Sequence, residues 1–205
     1  MSVQPAGDDH HDHVHRTPHQ DQQQARSHIQ DANTAPGSAS SAQALGRLAR
    51  DLQQQLDPQD TLQHVAEWAV QTIPGAQHVS VSLVHRRREI TSAAATGDVA
   101  RRFDELQQEV GQGPCLMAMY DHQTMRVEDL ATDERWPLLA QQWAKAGARS
   151  ALCLQLFVQG QDLGALNVLS EHVGAFDDES EQWGLLVASH AAVAVAGALK
   201  IDGLG

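Results

Sequence analysis

The sequence predicts an α+β domain built on a central antiparallel sheet. Two pairs of strand-like runs are each joined by a short polar turn, which is typical of β-hairpins. Helical patterns with one apolar face flank these hairpins at both ends of the chain, and a mixed segment separates them. Because hairpin-linked strands form antiparallel sheets, we expect the terminal helices to cover one face and the middle segment to cover the other.

The N-terminal segment differs in composition from the rest of the chain. Residues 1–41 are rich in His, Gln, Asp, Ser and Ala and contain almost no large apolar side chains. Such a segment cannot bury enough surface to offset the entropy of ordering. We therefore predict a disordered, His/Gln-rich tail over residues 1–41 and a folded domain over residues 42–205. Clustered imidazoles can bind transition metals, but a flexible tail offers no fixed geometry, so we assign no metal site.

Two helices are predicted at the start of the folded domain. The first carries a leucine stripe with spacings of three, four and four, formed by Leu45, Leu48, Leu52 and Leu56. Asp57 and Pro58 interrupt this pattern. The second helix ends at Pro74 and Gly75, and its apolar face consists of Leu62, Val65, Ala66, Ala69 and Ile73.

The first hairpin contains the only dense basic cluster in the sequence. Strand-like runs at residues 78–84 and 89–95 flank Arg86, Arg87 and Arg88, which we interpret as an exposed turn. The formal net charge of the chain is -12. Broad contact with phosphate backbones or anionic lipid requires lysine and arginine, so this charge argues against nucleic acid and membrane partners.

The middle segment contains the most informative motif, GQGPC at residues 111–115. A helix is predicted just before it, at residues 99–110, with Phe103, Leu106 and Val110 on one face. Pro114 suits a first helical turn because it lacks the N–H that is unpaired there. Cys115 follows, and two interpretations are open. The helix start lowers the pKa of its thiol, or Cys115 packs the turn as a small apolar residue.

The remaining elements complete the sheet. A short strand is predicted at Met125–Val127, and proline and glycine bound a helix between Pro137 and Gly147. The clearest hairpin has strands at residues 150–158 and 163–170.

A long apolar helix ends the domain. Asp177 can cap its start, and the apolar pattern continues to Lys200. Trp136, Trp143 and Trp183 occupy helical positions, where tryptophans usually anchor a core.

Five segments, in this order, resemble a GAF domain of the actinobacterial kind that often precedes an RNA-binding ANTAR module. They are LARDLQQQLDPQDTLQHVAEWAVQTIPGAQHVSVSLV, GQGPC, VEDLATDERWP, LFVQGQDLGALNVLS and GAFDDES, and together with the final helix they span residues 45–200. The resemblance implies a PAS-like fold with the N- and C-terminal helices on one sheet face and a ligand-pocket segment on the other. No ANTAR module follows in this sequence, so we expect no direct contact with nucleic acid.

Alternation along the predicted strands identifies a candidate pocket wall on the face away from the terminal helices. One set on residues 150–158 contains polar and apolar side chains, and Asn167 lies on the corresponding face of the next strand. Pocket walls are mostly apolar with a few placed polar groups. The candidate ligand-binding residues are Ser82, Phe103, Cys115, Ala151, Cys153, Gln155 and Asn167. The alternative is that the small polar residues only fill a tight sheet face.

The resemblance implies a non-enzymatic sensory or regulatory protein. A small ligand, or a redox change at the two cysteines, would alter the terminal helices and thereby a signalling or transcriptional partner. The sequence identifies neither ligand nor cofactor. One alternative is a ligand-free dimerisation scaffold.

The other alternative is a free methionine sulfoxide reductase, an activity of one GAF branch that uses cysteines. The first of those cysteines resembles Cys115, but Cys153 falls in a strand rather than in the expected loop. The positions that hold the substrate amine match Ala151, Asn167 and Leu169, which carry no charge.

Composition also indicates location and assembly. Two cysteines and no signal sequence are typical of reduced thiols in the cytoplasm. The longest apolar run, at residues 184–199, falls short of the roughly 20 residues of a bilayer span, so we expect no membrane anchor. The apolar last helix and the leucine stripe suggest helix-to-helix association, and we expect a homodimer. Alternatively, both helices pack only on their own sheet.

Overall fold

The structure is a computed structural model that describes residues 46, 57–84, 89–121 and 124–201. The predicted tail, most of the leucine-stripe helix and the arginine turn lie outside the described residues. The elements in chain order are α1 (Pro58–Thr72), β1 (His78–Val84), β2 (Ile90–Ala95), α2 (Asp98–Val110), α3 (Pro114–Tyr120), β3 (Met125–Val127), α4 (Pro137–Ala146), β4 (Ser150–Val158), β5 (Gln161–Ser170) and α5 (Asp178–Ile201).

Capping residues fix the starts of the two terminal helices. The Asp57 carboxylate accepts a 2.7 Å hydrogen bond from the Gln59 N–H, and Pro58 occupies the first turn of α1. The Asp177 carboxylate accepts a 2.9 Å hydrogen bond from the Ser180 N–H at the start of α5. The predicted cap at Asp177 is therefore confirmed.

The five strands form one antiparallel sheet in the order β2-β1-β5-β4-β3. The α+β prediction is therefore confirmed. The β4–β5 hairpin is tighter than expected, because β5 begins at Gln161 and only Gln159 and Gly160 form the turn. Both turn residues have positive φ, 50° and 81°, which matches a two-residue turn whose twist suits paired strands.

Helices α1 and α5 cover one face of the sheet, as predicted. The side chains between them form an apolar cluster that includes Val81 of β1, Leu152 of β4 and Val168 of β5. From α5, Val187 and Val195 enter the same cluster and are fully buried. By length and composition alone, the segment Asp178–Leu199 could cross a membrane. One side of this helix packs on the sheet and α1, whereas Leu185 and Val193 on another side are exposed.

Helices α2, α3 and α4 cover the opposite face through a second buried cluster. Trp143 of α4 is fully buried there, and its ring stacks on Phe103 of α2 with centroids 5.3 Å apart. Trp136 meets Trp143 edge-on at 6.1 Å. These tryptophans are core anchors, as predicted. The middle segment of the chain therefore forms the layer in which the sequence predicts a pocket.

Candidate functional site

The two faces of the sheet carry different side chains. On β4, Ala151 and Cys153 enter the cluster shared with α2, α3 and α4, whereas Leu152 and Leu154 enter the cluster shared with α1 and α5. This division follows the predicted alternation of the pleat. Cys153 pairs with Asn167 of β5. The face covered by α2, α3 and α4 is called the site face below.

Four buried polar side chains form a hydrogen-bonded group on the site face. This polar cluster consists of Ser80, Ser82, Asp104 and Asn167. Asn167 Nδ2 donates to Asp104 Oδ1 at 2.9 Å and to Ser82 Oγ at 3.1 Å. Ser80 Oγ donates to Asp104 Oδ1 at 2.9 Å. Asn167 pairs with Ser80 in the β1–β5 register, so the sheet fixes the spacing of these groups while α2 brings Asp104 over them.

Asp104 is a buried carboxylate with neutral neighbours. Its exposed fraction is 2%, and burial raises its pKa from the ordinary value of 3.8 to about 6. The hydroxyls of Ser92, Ser80 and Ser82 and the Asn167 amide lower the pKa of Asp104, but they do not offset the loss of solvation. Ser92 lies on the edge strand β2 and is exposed. The polar groups around Asp104 therefore extend from the interior to the surface.

Three buried polar atoms lack a hydrogen-bond partner among the described residues. They are Asp104 Oδ2, Asn167 Oδ1 and Trp143 Nε1. Leaving such a group unpaired costs about 1–3 kcal/mol, so native interiors rarely do it. Two of the three atoms belong to the side chains that share the 2.9 Å hydrogen bond. The site face thus has unused hydrogen-bonding capacity, whereas apolar side chains line the opposite face.

Cys115 lies in the first turn of α3, directly after Pro114, as predicted. Its thiol is fully buried, and burial followed by the charge of Asp104 raises its pKa from 9.0 to about 12. The interpretation that the helix start lowers this pKa is therefore wrong, because burial of the thiol raises it. Cys115 packs as a small apolar residue, which was the alternative.

Cys153 has the same character. It is fully buried, and burial, together with Cys115 and Asp104, raises its pKa well above 9.0. Both cysteines are free thiols. Because the thiolate is the reactive form, neither side chain is an activated nucleophile near neutral pH.

The Gln107 side chain explains the second glycine of the GQGPC motif, Gly113. Its side-chain oxygen accepts a 2.9 Å hydrogen bond from the Cys115 N–H. At Gly113, where φ is 143°, a Cβ atom would lie 2.2 Å from Gln107 Oε1. Gly113 therefore leaves the space that Gln107 needs to cap α3. One of the amides that we expected to favour a thiolate is already occupied by this contact.

The seven predicted site residues lie on the site face or on the helices that cover it. Ser82, Cys115 and Asn167 gather around Asp104. Phe103, Ala151 and Cys153 line the surrounding apolar cluster. Gln155 is partly buried, and its Nε2 donates to the Met119 carbonyl at 3.3 Å and to the Asp162 carboxylate, so it anchors α3 to β4. A role of these seven residues in ligand binding stays a prediction.

Asp104 and Gln107 are the two residues of this layer that the sequence argument missed. Both are polar residues on a helix whose buried face was assigned from Phe103, Leu106 and Val110. A signal was present, because Asp104 follows Ala100 by four residues and Gln107 follows Phe103 by four. That spacing places each pair on one side of a helix, and all four side chains are buried.

The site face offers oxygen atoms rather than a metal-ligand set. In the described part of the chain, no group of three or more His, Cys, Asp or Glu side chains could hold a metal ion. One carboxylate, one amide and several hydroxyls converge instead. Such groups recognise the polar part of an organic molecule within a mostly apolar wall.

Comparison with known proteins places this geometry in a family. A family model described as a GAF domain matches residues 55–196. A search of curated protein sequences finds no significant match. The GAF domain of a phosphoenolpyruvate-protein phosphotransferase from Coxiella burnetii aligns with a TM-score of 0.62 at 16% identity, over 80% of this chain and 96% of that chain.

Two further solved structures share the fold. Free methionine-R-sulfoxide reductase from Neisseria meningitidis, in complex with its substrate, aligns with a TM-score of 0.57 at 20% identity, over 78% of this chain and 89% of that chain. Bacteriophytochrome RpBphP3 from the photosynthetic bacterium R. palustris aligns with a TM-score of 0.60 at 12% identity, over 80% of this chain and 38% of that chain. At these identities the likeness concerns the fold alone. The family match covers more than half of the chain, and the sheet, its terminal helices and the opposite layer agree with it, so this protein belongs to the GAF domain family.

Proposed function

We propose that the protein is a non-enzymatic sensory and regulatory module of signal transduction. A small molecule binds beside the polar cluster, and α1 and α5 pass the change to a signalling or transcriptional partner protein. The observation that carries this proposal is the contrast between the two sheet faces. One face is apolar, whereas the other holds a buried polar cluster with unpartnered oxygen atoms. A domain that served only as a scaffold would gain stability by replacing those groups with apolar side chains.

The strand β5 supplies a physical connection between the ligand and the terminal helices. Asn167 lies on the site face, and its chain neighbours Leu166 and Val168 lie on the other face, in the cluster that contains Val187 and Val195 of α5. A ligand that pulls on Asn167 therefore moves residues that touch α5 directly. A packed interface transmits such shifts because it does not deform freely.

The buried thiols favour a ligand over a redox change as the input signal. A redox sensor needs an accessible thiol with a low pKa, and both Cys115 and Cys153 are buried with raised pKa values. The same facts disfavour methionine sulfoxide reduction, which needs an activated nucleophile.

Within the family, the quoted motifs favour the actinobacterial kind that precedes ANTAR modules. We infer a cytoplasmic protein that acts on a partner protein, without direct contact with nucleic acid or membrane. The net charge of -12 supports this part of the proposal, since both polyanionic surfaces would repel the chain.

We also propose that the protein functions as a homodimer through α5. Leu185 and Val193 are 48% and 62% exposed, and they lie on the same side of the helix with the small residue Ser189 between them. A second copy of this helix would bury both side chains. Close approach of the two helices is helped by the exposed Gly197 further along that side.

Native mass spectrometry of the freshly purified full chain tests the proposed function. We expect a bound small molecule whose release increases hydrogen exchange in α5. The variant Asn167→Leu should lose the bound mass, whereas the exposed α5 variant Ser189→Ala should keep it. If every preparation is free of small molecules and cell extract changes nothing in α5, the scaffold function replaces the sensor. Consumption of free methionine sulfoxide that depends on Cys115 would show a reductase instead.

A further inference from the structure

We propose that the N-terminal half of α2, residues 98–104, is a pH-dependent flap over the polar cluster. It stays closed while Asp104 carries a proton, and it unwinds more readily once that proton is lost. Acidity is then a second input beside the small molecule of the proposed function, and it acts whatever that molecule is. Residues 98–104 are called the flap below.

The start of α2 lacks the features that fix the starts of the other described helices. Helices α1 and α5 begin with the capping carboxylates of Asp57 and Asp177, and α3 and α4 begin with a proline. Helix α2 begins after Gly97, and no side chain of the described residues caps it. Helices fray from their ends, because the N–H groups there lack partners within the helix. The flap is therefore the part of α2 that unwinds first.

Asp104 is the polar tie between the flap and the sheet. Its Oδ1 accepts 2.9 Å hydrogen bonds from Ser80 of β1 and from Asn167 of β5. Ser92 of the edge strand β2 also hydrogen-bonds to this carboxyl group. Three strands thus hold one side chain of the flap. A change in the charge of that side chain therefore changes how firmly the flap is held.

The carboxyl group of Asp104 can take up a proton without losing either of its 2.9 Å hydrogen bonds. Both bonds end on Oδ1, whereas Oδ2 has no donor among the described residues. A proton on Oδ2 leaves both bonds in place and removes a buried charge, which is costly in an apolar layer. In the ionised form, unwinding of the flap returns that charge to water. Loss of the proton therefore favours the open flap.

The neighbours of Asp104 do not titrate in the same range. The titratable side chains that face it are the thiols of Cys115 and Cys153, which stay neutral in acid because burial raises their pKa values. Strands β1, β2 and β5 present serine hydroxyls and the Asn167 amide, and α4 packs on α2 through the neutral ring of Trp143. The charged residues of α2 form exposed ion pairs, made by Asp98, Arg101, Arg102, Glu105 and Glu109. The proton on Asp104 is therefore the one that controls the flap.

The C-terminal half of α2 stays in place when the flap unwinds. Gln107 Oε1 accepts a 2.9 Å hydrogen bond from the Cys115 N–H, which ties this half to α3. Helix α3 packs mainly on β4 and β5, so both thiols remain covered. The opening is local to the β2 edge of the site face, where exposed Ser92 contacts Asp104. Acidity thus controls the access of solvent to the polar cluster.

Amide hydrogen exchange of the full chain, followed by NMR, tests the flap. Exchange rates are measured from pH 4 to pH 7 and corrected for the pH dependence of the chemical step. The amides of Phe103 and Asp104 report on the flap, and those of Glu109 and Val110 report on the other half of α2. The amide of Leu166 in the middle of the sheet reports on global unfolding. A titration of the Asp104 carboxyl carbon gives its pKa in the same sample.

Linkage gives the sign and size of the expected effect. The pKa of Asp104 is about 6 in the closed flap and returns to 3.8 when the flap unwinds, so the stabilisation of the closed form is complete below pH 3.8 and is lost as the pH rises through 6. The opening constant of the flap should rise about tenfold per pH unit from pH 4 to pH 6 and then level off, about a hundredfold in total. The flap should open at a lower free energy than Leu166 does.

Two variants complete the design. Asp104→Asn keeps the shape of the side chain without its charge, so flap opening should lose its pH dependence and become at least tenfold rarer at pH 7. Asp98→Asn removes an exposed carboxylate from the first turn of the same helix and should keep the pH dependence. If Asp104→Asn does not fold, the exchange profile of the natural protein and the Asp104 titration still decide the matter.

Three results would overturn the flap. Its amides exchange no faster than Leu166 at any pH, its opening constant is the same at pH 4 and pH 7, or its pH dependence survives in Asp104→Asn. The first result means that α2 opens only with the whole domain, and the other two mean that Asp104 does not control it. None of them bears on whether native mass spectrometry finds a bound small molecule, so the proposed function is tested separately.

Discussion

Asn167 donates a 2.9 Å hydrogen bond to Asp104, and this contact joins strand β5 to helix α2 through the interior of the domain. It places a carboxylate above the middle of a sheet whose other face is apolar. The two residues are 63 positions apart in the sequence. Most of the chemistry that we assign to this protein follows from that pair.

Replacing Asp104 with asparagine should stabilise the protein at neutral pH. The folded pKa of about 6 lies above the unfolded value of 3.8, so the contribution of Asp104 to stability is complete below pH 3.8 and is lost as the pH rises through 6. Asp104→Asn removes this loss of stability. Each pKa unit corresponds to about 1.4 kcal/mol, so the shift from 3.8 to about 6 corresponds to a gain on the order of 3 kcal/mol at neutral pH.

Urea unfolding between pH 4 and pH 7 measures this effect. In the natural protein and in Asp98→Asn, the free energy of unfolding should fall as the pH rises from 4 to 7. In Asp104→Asn it should depend less on pH. A variant that is less stable than the natural protein at pH 7 would contradict the assignment of an uncompensated buried charge.

Both thiols should be inert in the folded protein. A pKa raised from 9.0 to about 12 reduces the thiolate fraction of Cys115 about a thousandfold. Thiol-reactive dye should therefore label the chain at the rate of unfolding, and mild peroxide should leave both cysteines free in peptide maps. The variant Gln141→Cys, on the exposed side of α4, supplies a reference thiol that should react at once. Rapid labelling of Cys115, or a bond between Cys115 and Cys153, would restore the redox hypothesis.

Gly113→Ala should destabilise the domain by about 2 kcal/mol or more. Its φ of 143° is strained for any L side chain, and the new methyl group would overlap the Gln107 side chain that caps α3. Gly97→Ala is the matched control, because Gly97 has an extended backbone and open space where a Cβ would lie, and this change at the start of α2 should cost at most about 1 kcal/mol. Thermal unfolding of both variants measures the difference. Equal stability of Gly113→Ala and the natural protein would exclude the proposed cap.

Val193→Glu should convert a dimer into a monomer. Val193 is 62% exposed on α5, and a second copy of the helix would bury it, whereas an introduced carboxylate opposes that burial. Val173→Glu changes an equally apolar and 52% exposed residue outside the helices, and it should leave the assembly intact. Light scattering measures the mass of each variant. A natural protein that is monomeric at working concentration would remove the dimer from the proposal.

Periodicity predicted most of the fold because the two sheet faces are chemically distinct. Leu152 and Leu154 alternate with Ala151 and Cys153, and each set lies where the pleat predicts it. The second hairpin was predicted with a turn that is too long, since Asp162 is polar and was assigned to the turn. In the structure, Asp162 belongs to β5 and pairs with Phe157 of β4, next to a shift in the register of the two strands. A pattern of apolar residues does not reveal such a shift.

The candidate site was harder to predict than the fold. Asp104 and Gln107 are charged or polar residues on a helix, and such residues usually face solvent. Their partners, Asn167 and the Cys115 amide, are distant in sequence or depend on a glycine conformation. The pKa of Cys115 was misjudged for a related reason, because solvation depends on tertiary packing that local sequence does not contain.

Neighbouring residues of β5 lie on opposite faces of the sheet, so substitutions in this one strand have two different kinds of effect during evolution. A substitution at Asn167 alters what the interior recognises, and a substitution at Leu166 or Val168 alters how firmly the strand is tied to α5. Specificity and response strength can therefore diverge through different residues of one strand. An engineer who wishes to redirect this protein to a new compound should vary residues of the first kind and leave those of the second untouched.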